Sequence, residues 1–300
     1  MTIQAQPGIL EPVPPLARYL TFRLVPGADP VAVLVALGKL KADASCVYGL
    51  GQSLVQFVGA QVPGLRSFPN LEGPGVGMPG TAGALWCWLR GDDRGELLHQ
   101  GRAIAKQLAG CLELTEVTSG FRYGASLDLT GFVDGTENPK DEHAVEVGFV
   151  SGADEGLSGG SFVAVQKWQH DLAQFEAMSS AEQDATIGRR KVGNEEISDA
   201  PPAAHVKRTE QEAFDPEAFV LRRSMPWADG MDEGLVFVAF GASFDAFEVL
   251  AHKMLGLDDG IVDALFRFTR ATTGSYYWCP PISGSHLDLR SLTGACEPSS

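Results

Sequence analysis

The sequence is short of cysteine, of basic residues and of long apolar runs, and each shortage excludes a class of protein. Its five cysteines, Cys46, Cys87, Cys111, Cys279 and Cys296, are an odd, scattered set without a C-x-x-C pair. Small disulfide scaffolds need paired cysteines, and zinc ribbons or iron–sulfur clusters need closely spaced ones. The cysteine pattern therefore argues against all three.

The charge balance and the hydropathy pattern exclude two further kinds of partner. The chain has 23 Lys and Arg against 38 Asp and Glu, a net charge of −15, and such a surface repels phosphate backbones and anionic lipids. No run reaches the roughly 18 consecutive apolar residues of a membrane helix. Residues 1–15 contain neither a basic n-region nor an apolar h-region. We expect a cytoplasmic protein that binds neither nucleic acid nor membranes.

What is present is enough apolar sequence for a substantial core and a repeated plan of strand followed by helix. The 300 residues are 44% hydrophobic, and the length suggests about two domains. In four segments an apolar or alternating run reaches a turn and then becomes helical in spacing. These segments are residues 19–40, 84–108, 161–178 and 234–255. In the first, Asp29 is the predicted N-cap and Pro30 the first helical residue.

Additional strands and a helix start complete the predicted fold. Strand-like runs occupy residues 54–58, 112–117 and 219–225, and Ser180 with Gln183 resembles a capping box. Four strand-helix units with extra strands predict an α+β fold of two ferredoxin-like (βαββαβ) halves with antiparallel sheets. We place the halves at residues 1–140 and 141–300, and expect the proline-rich stretch 7–15 and the tail 291–300 to be loosely docked.

The stretch GFVDGTENP at residues 131–139 is the most informative in the chain. Gly131 and Gly135 allow backbone angles closed to other residues, so Asp134 is expected on a constrained loop. Taken alone, the pattern also fits a turn in which the carboxylate caps backbone amides. The loop lies near the predicted boundary between the halves, where ligand pockets are common.

Several segments in a fixed order together resemble the dye-decolourising peroxidase family, most closely its bacterial B-type branch. The resemblance runs from about Tyr19 to Trp278. It rests on GFVDGTENP at 131–139, IGR at 187–189, PPAAHVKR at 201–208, FVLRRSMP at 219–226, LFRFT at 265–269 and TGSYY at 273–277. It implies one haem b per chain, bound mainly in the C-terminal half. The absence of C-x-x-C-H indicates noncovalent binding.

The resemblance assigns His205 as the axial ligand of the haem iron. An axial histidine needs an acceptor on its other ring nitrogen, because this bond adds imidazolate character that stabilises high-valent iron. Our candidate is Asp263, within a predicted helix. The alternative for Asp263 is an exposed helix acid. The other five histidines are interpreted as structural.

On the opposite side of the haem, the resemblance gives Asp134 and Arg222 a joint catalytic role. Peroxide cleavage needs a proton moved from the inner to the outer oxygen and a positive group beside the departing hydroxide. Strand alternation places Arg222 and Ser224 on one face, towards the haem, and Arg223 on the other. Some relatives carry asparagine at the position of Ser224.

Haem propionates need cationic or amide partners. Arg189 matches a family position suited to this, although a surface arginine is the alternative. Backbone amides around Gly135 to Asn138, including that of Thr136, are candidates for the other propionate. Leu235, Phe237, Phe247 and Leu250 are candidates for either the haem-pocket wall or the core.

The predicted function is a peroxidase that uses hydrogen peroxide to oxidise dyes, phenols or other one-electron donors through an oxyferryl intermediate. A haem-handling protein for storage, delivery or iron release, with incidental peroxidase activity, is the alternative. A ferredoxin-like module without haem is a third hypothesis. The resemblance also implies a homo-oligomer. Some relatives are encapsulated through C-terminal extensions, but the tail shows no clear match to such a signal.

Overall fold

The structure is a computed structural model that describes residues 5–153 and 156–293. The predictions for residues 294–300 of the tail, including the docking signal, and for Cys296 lie outside the described residues. The strands are β1 Leu16–Leu24, β2 Cys46–Leu50, β3 Leu71–Gly73, β4 Val76–Met78, β5 Leu85–Gly91, β6 Leu112–Phe121, β7 Ser161–His170, β8 Leu221–Arg222, β9 Met225–Asp229, β10 Asp232–Gly241, β11 Thr269–Ala271, β12 Ser275–Cys279, β13 Ile282–Ser283 and β14 His286–Leu287.

The helices follow the predicted strand-helix plan. They are α1 Pro30–Gly38, α2 Gln52–Phe57, α3 Arg94–Leu108, α4 Asp141–Gly148, α5 Leu172–Glu176, α6 Ser180–Ile187, α7 His205–Arg208, α8 Asp245–Met254 and α9 Arg290–Thr293, with 3-10 turns at Pro7–Ile9, Gln211–Ala213 and Ala264–Arg267. All four predicted strand-helix units are confirmed as β1–α1, β5–α3, β7–α5 and β10–α8. No helix in the described ranges is long and apolar enough to cross a bilayer.

Eight antiparallel strands close on themselves into one sheet. Their order is β7-β12-β2-β5-β1-β6-β9-β10, and pairing of β10 with β7 completes the circuit. The order keeps β2, β5, β1 and β6 together as one block of four, and β12, β7, β10 and β9 as another. The blocks join at β2–β12 and β6–β9. Strand β8 pairs with β10, and β11 pairs with β7.

The two faces of the closed sheet carry two separate apolar cores. Successive side chains of a strand point to opposite faces, so β1, β2, β5, β7, β10 and β12 contribute alternate residues to the two cores. The inner core contains Tyr19, Trp86, Trp88, Phe240 and Tyr277. The outer, larger core packs between the sheet and the helices and contains the other alternate residues, such as Leu20, Leu85, Cys87 and Trp278.

Helix caps were predicted well, although one was displaced by a residue. The Asp29 carboxylate accepts a hydrogen bond from the amide of Ala32 at 2.8 Å, as an N-cap should. The predicted capping box on α6 exists, but Ser179 and Glu182 form it, not Ser180 and Gln183. Consecutive serines offer both frames, and the carboxylate of Glu182 accepts a stronger bond from an amide than a neutral glutamine does.

Three predictions about local structure were wrong. Residues 54–57 belong to helix α2 and Val58 is its C-cap, because a short apolar run does not distinguish strand from buried helix. The predicted strand at 219–225 is broken between β8 and β9. The stretch 7–15 is not loosely docked: Ile9 is 1% exposed, and the Arg223 guanidinium donates to the carbonyls of Ile9 and Leu10 at 3.0 Å.

Candidate active site

A cavity, here called the main cavity, lies on the outer face of β7 and β10. It encloses about 1060 Å³ of empty space, including solvent at its mouth. The loop at residues 128–134, helix α7 and helix α8 cover it. The four apolar residues left undecided between wall and core all line it, and so do three of the predicted site residues. These are Leu235, Phe237, Phe247 and Leu250, with Asp134, His205 and Arg222.

His205 begins helix α7, and a buried carboxylate fixes its ring. Its Nδ1 lies 2.7 Å from Oδ2 of Asp263, whose side chain is fully buried. The other oxygen, Oδ1, accepts from the amide of Leu265 at 2.8 Å. The predicted contact between His205 and Asp263 is therefore confirmed. Because Nδ1 is occupied by the carboxylate, Nε2 is the nitrogen available to a metal.

The predicted helix around Asp263 is wrong, and the actual backbone explains how the carboxylate is positioned. Asp263 is extended and caps the short 3-10 turn Ala264–Arg267. Its amide donates to the carbonyl of Met254 at 2.8 Å, and the amide of Ala264 donates to the carbonyl of Ala203 at 2.7 Å. These two hydrogen bonds fix the backbone at Asp263 to the last residue of α8 and to Ala203, which lies two residues before His205.

Asp134 lies on the predicted constrained loop. Gly131 and Gly135 adopt φ of 84° and 81°, in the left-handed region that favours glycine. Withdrawal from water raises the pKa of the Asp134 carboxyl above its ordinary value, with a further increase from the charge of Asp128. The charges of Arg222 and His205 act in the opposite direction. The net increase makes Asp134 a better proton acceptor than an ordinary carboxylate.

Asn138 brings the loop and the arginine strand together. Its side-chain oxygen accepts from the amide of Arg222 at 2.8 Å, and its amide group donates to the Arg222 carbonyl at 2.9 Å. The side chain of Asn138 thus pairs with β8 much as another strand would. These two hydrogen bonds hold Asp134 and Arg222 at one wall of the main cavity. The backbone amide of Asn138 was a candidate partner for a propionate, but this role of its side chain was not predicted.

Arg222 and Arg223 face opposite ways, as strand alternation predicts. Arg222 lines the main cavity, and its buried Nε has no hydrogen-bond partner within the described ranges. Arg223 instead donates to backbone carbonyls of the N-terminal segment. Burial lowers the pKa of the Arg223 guanidinium to about 10. Only Arg222 is therefore positioned to meet a ligand in the main cavity.

Ser224 does not line the main cavity with Arg222, contrary to prediction. The strand breaks between Arg222 and Met225, so regular alternation ends there. The Ser224 hydroxyl accepts from the amide of Val238 at 3.3 Å. Ser224 lines a smaller neighbouring cavity together with Asp134.

The three residues predicted at the propionates also lie behind the wall of the main cavity. Arg189 forms ion pairs with Glu137 at 2.6 Å and Glu196 at 3.3 Å. The Thr136 hydroxyl accepts from the side chain of Asn194 at 2.8 Å. The lining of the main cavity does not include Arg189, Thr136 or Gly135. They connect the loop that carries Asp134 to the segment after α6.

Sequence reasoning missed a buried chain of polar residues on the same wall. His170 Nε2 lies 3.1 Å from Asp128 Oδ2, and its Nδ1 lies 2.6 Å from the Thr269 hydroxyl. Burial raises the pKa of Asp128, but its bonds to His170 and Thr130 outweigh this and lower it below the ordinary value. Asp128 and Thr130 form an Asx-type turn, a pattern visible in the sequence. The partnership with His170 spans 42 residues and leaves no local signal.

The family model "Dyp-type peroxidase, C-terminal" matches residues 125–284. A dye-decolorizing peroxidase of Mycobacterium tuberculosis is 31% identical over 93% of this chain and 89% of its own length. A dye-decolorizing protein from V. cholerae has a TM-score of 0.82 at 31% identity, covering 91% of this chain and 96% of that one.

DyPB from Rhodococcus jostii RHA1 is also similar, with a TM-score of 0.83 at 27% identity over 93% of this chain and 97% of its own. A variant of DyPB has been solved in complex with haem, and matches with a TM-score of 0.82 at 27% identity over the same shares. The Mycobacterium tuberculosis relative is a dye-decolorizing peroxidase by name, and the solved structures share the mixed fold with antiparallel sheets.

Proposed function

The chain belongs to the dye-decolourising peroxidase family and is a peroxidase, and from that premise we propose that it uses hydrogen peroxide and a bound haem to oxidise dyes, phenols or other one-electron donors. One observation carries the proposal. His205, with Nε2 available, lies on the same cavity as Asp134 and Arg222. The three residues come from separate parts of the chain, and a peroxidase needs all three kinds of group at one site.

The main cavity has the features that a noncovalently bound haem b needs. Its wall is mostly aliphatic and aromatic, which suits a flat apolar macrocycle. None of its lining residues is a cysteine, which supports axial ligation by His205 in place of covalent attachment. The buried Nε of Arg222 is unpaired in the described chain. We assign one haem to each chain on this basis.

For the propionates we propose Arg189 and the backbone amides of Gly135 and Thr136. The ion pair between Arg189 and Glu137 supports this, because it holds the guanidinium beside the loop that carries Asp134. Ser224 lies beside Asp134 on the smaller cavity, which supports a role in ordering water there. Both assignments require these side chains to turn towards the cofactor when it binds.

When bound, haem supplies the iron that receives the peroxide and stores the oxidising equivalents. We propose that Asp134 takes the proton from the inner peroxide oxygen and returns it to the outer one. The raised pKa of the Asp134 carboxyl favours this exchange. The Arg222 guanidinium stabilises the negative charge that develops on the outer oxygen until the proton from Asp134 reaches it, so that this oxygen leaves as water. The Asp263 carboxylate fixes the His205 ring through Nδ1, so that Nε2 would be the atom that holds the iron.

The test is stopped-flow absorbance of the haem-loaded protein mixed with hydrogen peroxide. Asp134→Ala and Arg222→Ala should each slow the reaction roughly 10²–10⁴-fold, the usual range for a positioned acid-base group. His205→Ala should lose haem. The control variants Asp141→Ala and Arg190→Ala change an exposed aspartate and an exposed arginine, and they should leave the rate unchanged. A tightly bound haem that reacts slowly in every variant would favour the haem-handling alternative.

We also propose that residues 1–140 and 141–300 are two ferredoxin-like halves. The strand order in each block supports this. When the four strands of a half are numbered as they occur along the chain, the spatial order is 4-1-3-2 in both halves. It is β6-β1-β5-β2 in the first and β12-β7-β10-β9 in the second. A homo-oligomer is supported by α1, which exposes 66% of Val31 and 51% of Val35.

A further inference from the structure

A second cavity, here called the inner cavity, lies inside the closed sheet. It encloses about 770 Å³ of empty space, including solvent at its mouth. Along β7, Val165 and Lys167 line the inner cavity, whereas Gln166 and Trp168 line the main cavity. This follows from the alternation of side chains along a strand. A single layer of strands therefore separates the two cavities.

Lys167 lies in the solvent-facing part of the inner-cavity wall and has only a long contact with an acidic partner. The Lys167 side chain is 26% exposed, and its Nζ lies 3.8 Å from Oε1 of Glu116. That distance is too long for a good hydrogen bond. The same ammonium lies 4.0 Å from the centre of the Trp227 ring. An ammonium has three donors, so Lys167 can still bind a carboxylate that reaches the mouth.

The deep wall of the inner cavity is aromatic. Trp86 stacks between Tyr19 and Tyr277, with ring centroids 6.2 and 6.0 Å apart. The Tyr19 hydroxyl and the Trp86 indole nitrogen are buried and have no hydrogen-bond partner in the described part of the chain. Leaving such a donor unpaired is unfavourable, because it has lost its hydrogen bond to water. An indole N–H donates only, so the group that satisfies it must be an acceptor.

We propose that the inner cavity binds a small aromatic carboxylate that carries an oxygen substituent opposite the acid group, as 4-hydroxybenzoate does. The carboxylate pairs with Lys167, the ring packs beside Trp86 and Tyr277, and the far oxygen meets the donors of Tyr19 and Trp86. Glu116 opposes an anion, but its side chain is 42% exposed and water screens its charge. This site lies apart from the main cavity and does not depend on haem.

The experiment is calorimetric titration of the haem-loaded protein with 4-hydroxybenzoate, benzoate and phenol. We expect one saturable site for 4-hydroxybenzoate. Lys167→Met removes a charged donor, so its affinity for 4-hydroxybenzoate should fall roughly tenfold to hundredfold, while affinity for phenol stays the same. Lys39→Met changes an exposed lysine and is the matched control, with no change expected.

Tyr19→Phe keeps the ring and tests the other end of the ligand. It should weaken 4-hydroxybenzoate roughly 2- to 10-fold and leave benzoate unchanged, because benzoate lacks the far oxygen. The proposal fails if the holoprotein shows no saturable heat, or if Lys167→Met behaves as Lys39→Met does. It also fails if only haem-free protein binds, since the probe then occupies the main cavity. If Lys167→Met does not fold, Tyr19→Phe decides alone.

Discussion

Asp263→Asn is expected to raise the reduction potential of haem iron bound at His205. The Asp263 carboxylate is fully buried and lies 2.7 Å from Nδ1 of the histidine. A hydrogen bond to a charged group contributes about 1.5–3 kcal/mol, and a neutral one about 1 kcal/mol. Asparagine keeps the neutral bond, so ferric iron loses about 0.5–2 kcal/mol of stabilisation. For a one-electron couple this corresponds to an increase of about 20–90 mV.

The assay is a spectroelectrochemical titration of the haem-loaded variant. The matched control is Asp259→Asn, because Asp259 accepts bonds from Arg208 at the end of α7 but does not contact His205. This control loosens the same helix but leaves the charged Asp263 carboxylate beside His205. An unchanged or lowered potential in Asp263→Asn, or an equal shift in Asp259→Asn, would refute the reasoning.

Three further predictions concern the wall of the main cavity and the arginine that faces away from it. Asn138→Ala leaves the amide of Arg222 without its partner and should cost about 1–3 kcal/mol in urea unfolding, with slower peroxide reaction; unchanged stability would show that water replaces the clamp. Asp128→Asn removes a negative neighbour of Asp134, so the pKa of Asp134 should fall. In the proposed mechanism the deprotonated carboxylate reacts, so the peroxide rate should reach its plateau at lower pH, and a shift to higher pH contradicts this. Arg223→Met should lower the melting temperature through loss of its backbone bonds while haem binding and peroxide rate stay near wild type, and a large loss of rate would contradict the separation of Arg223 from Arg222.

Local sequence signals predicted the elements but not every boundary. The cap at Asp29 and the four strand-helix units follow from residue types and spacing within about 20 residues, and all are present. The strand at 219–225 failed because its break after Arg222 comes from pairing with β10 and Asn138, which lie elsewhere in the chain. That break also moved Ser224 from the main cavity to its neighbour.

The site divides in the same way. Local motifs singled out Asp134, His205 and Arg222, because each lies in a distinctive stretch. The partnership of Asp128 with His170 and the clamp by Asn138 join residues 42 and 84 positions apart. No period or motif records such contacts, so only the folded chain revealed them.

By itself the sequence determined the family and the alternation of strands and helices, and it supplied the candidate residues for the proposed haem site. These depend on residue type and short-range spacing, which the chain carries before it folds. The tertiary structure decided that the sheet closes, that one strand layer separates two cavities, and that Arg189, Gly135, Thr136 and Ser224 lie outside the wall of the main cavity. Closure depends on pairing between distant strand edges, at β2–β12 and β6–β9. That pairing uses backbone groups common to every residue, so the sequence does not reveal which edges meet.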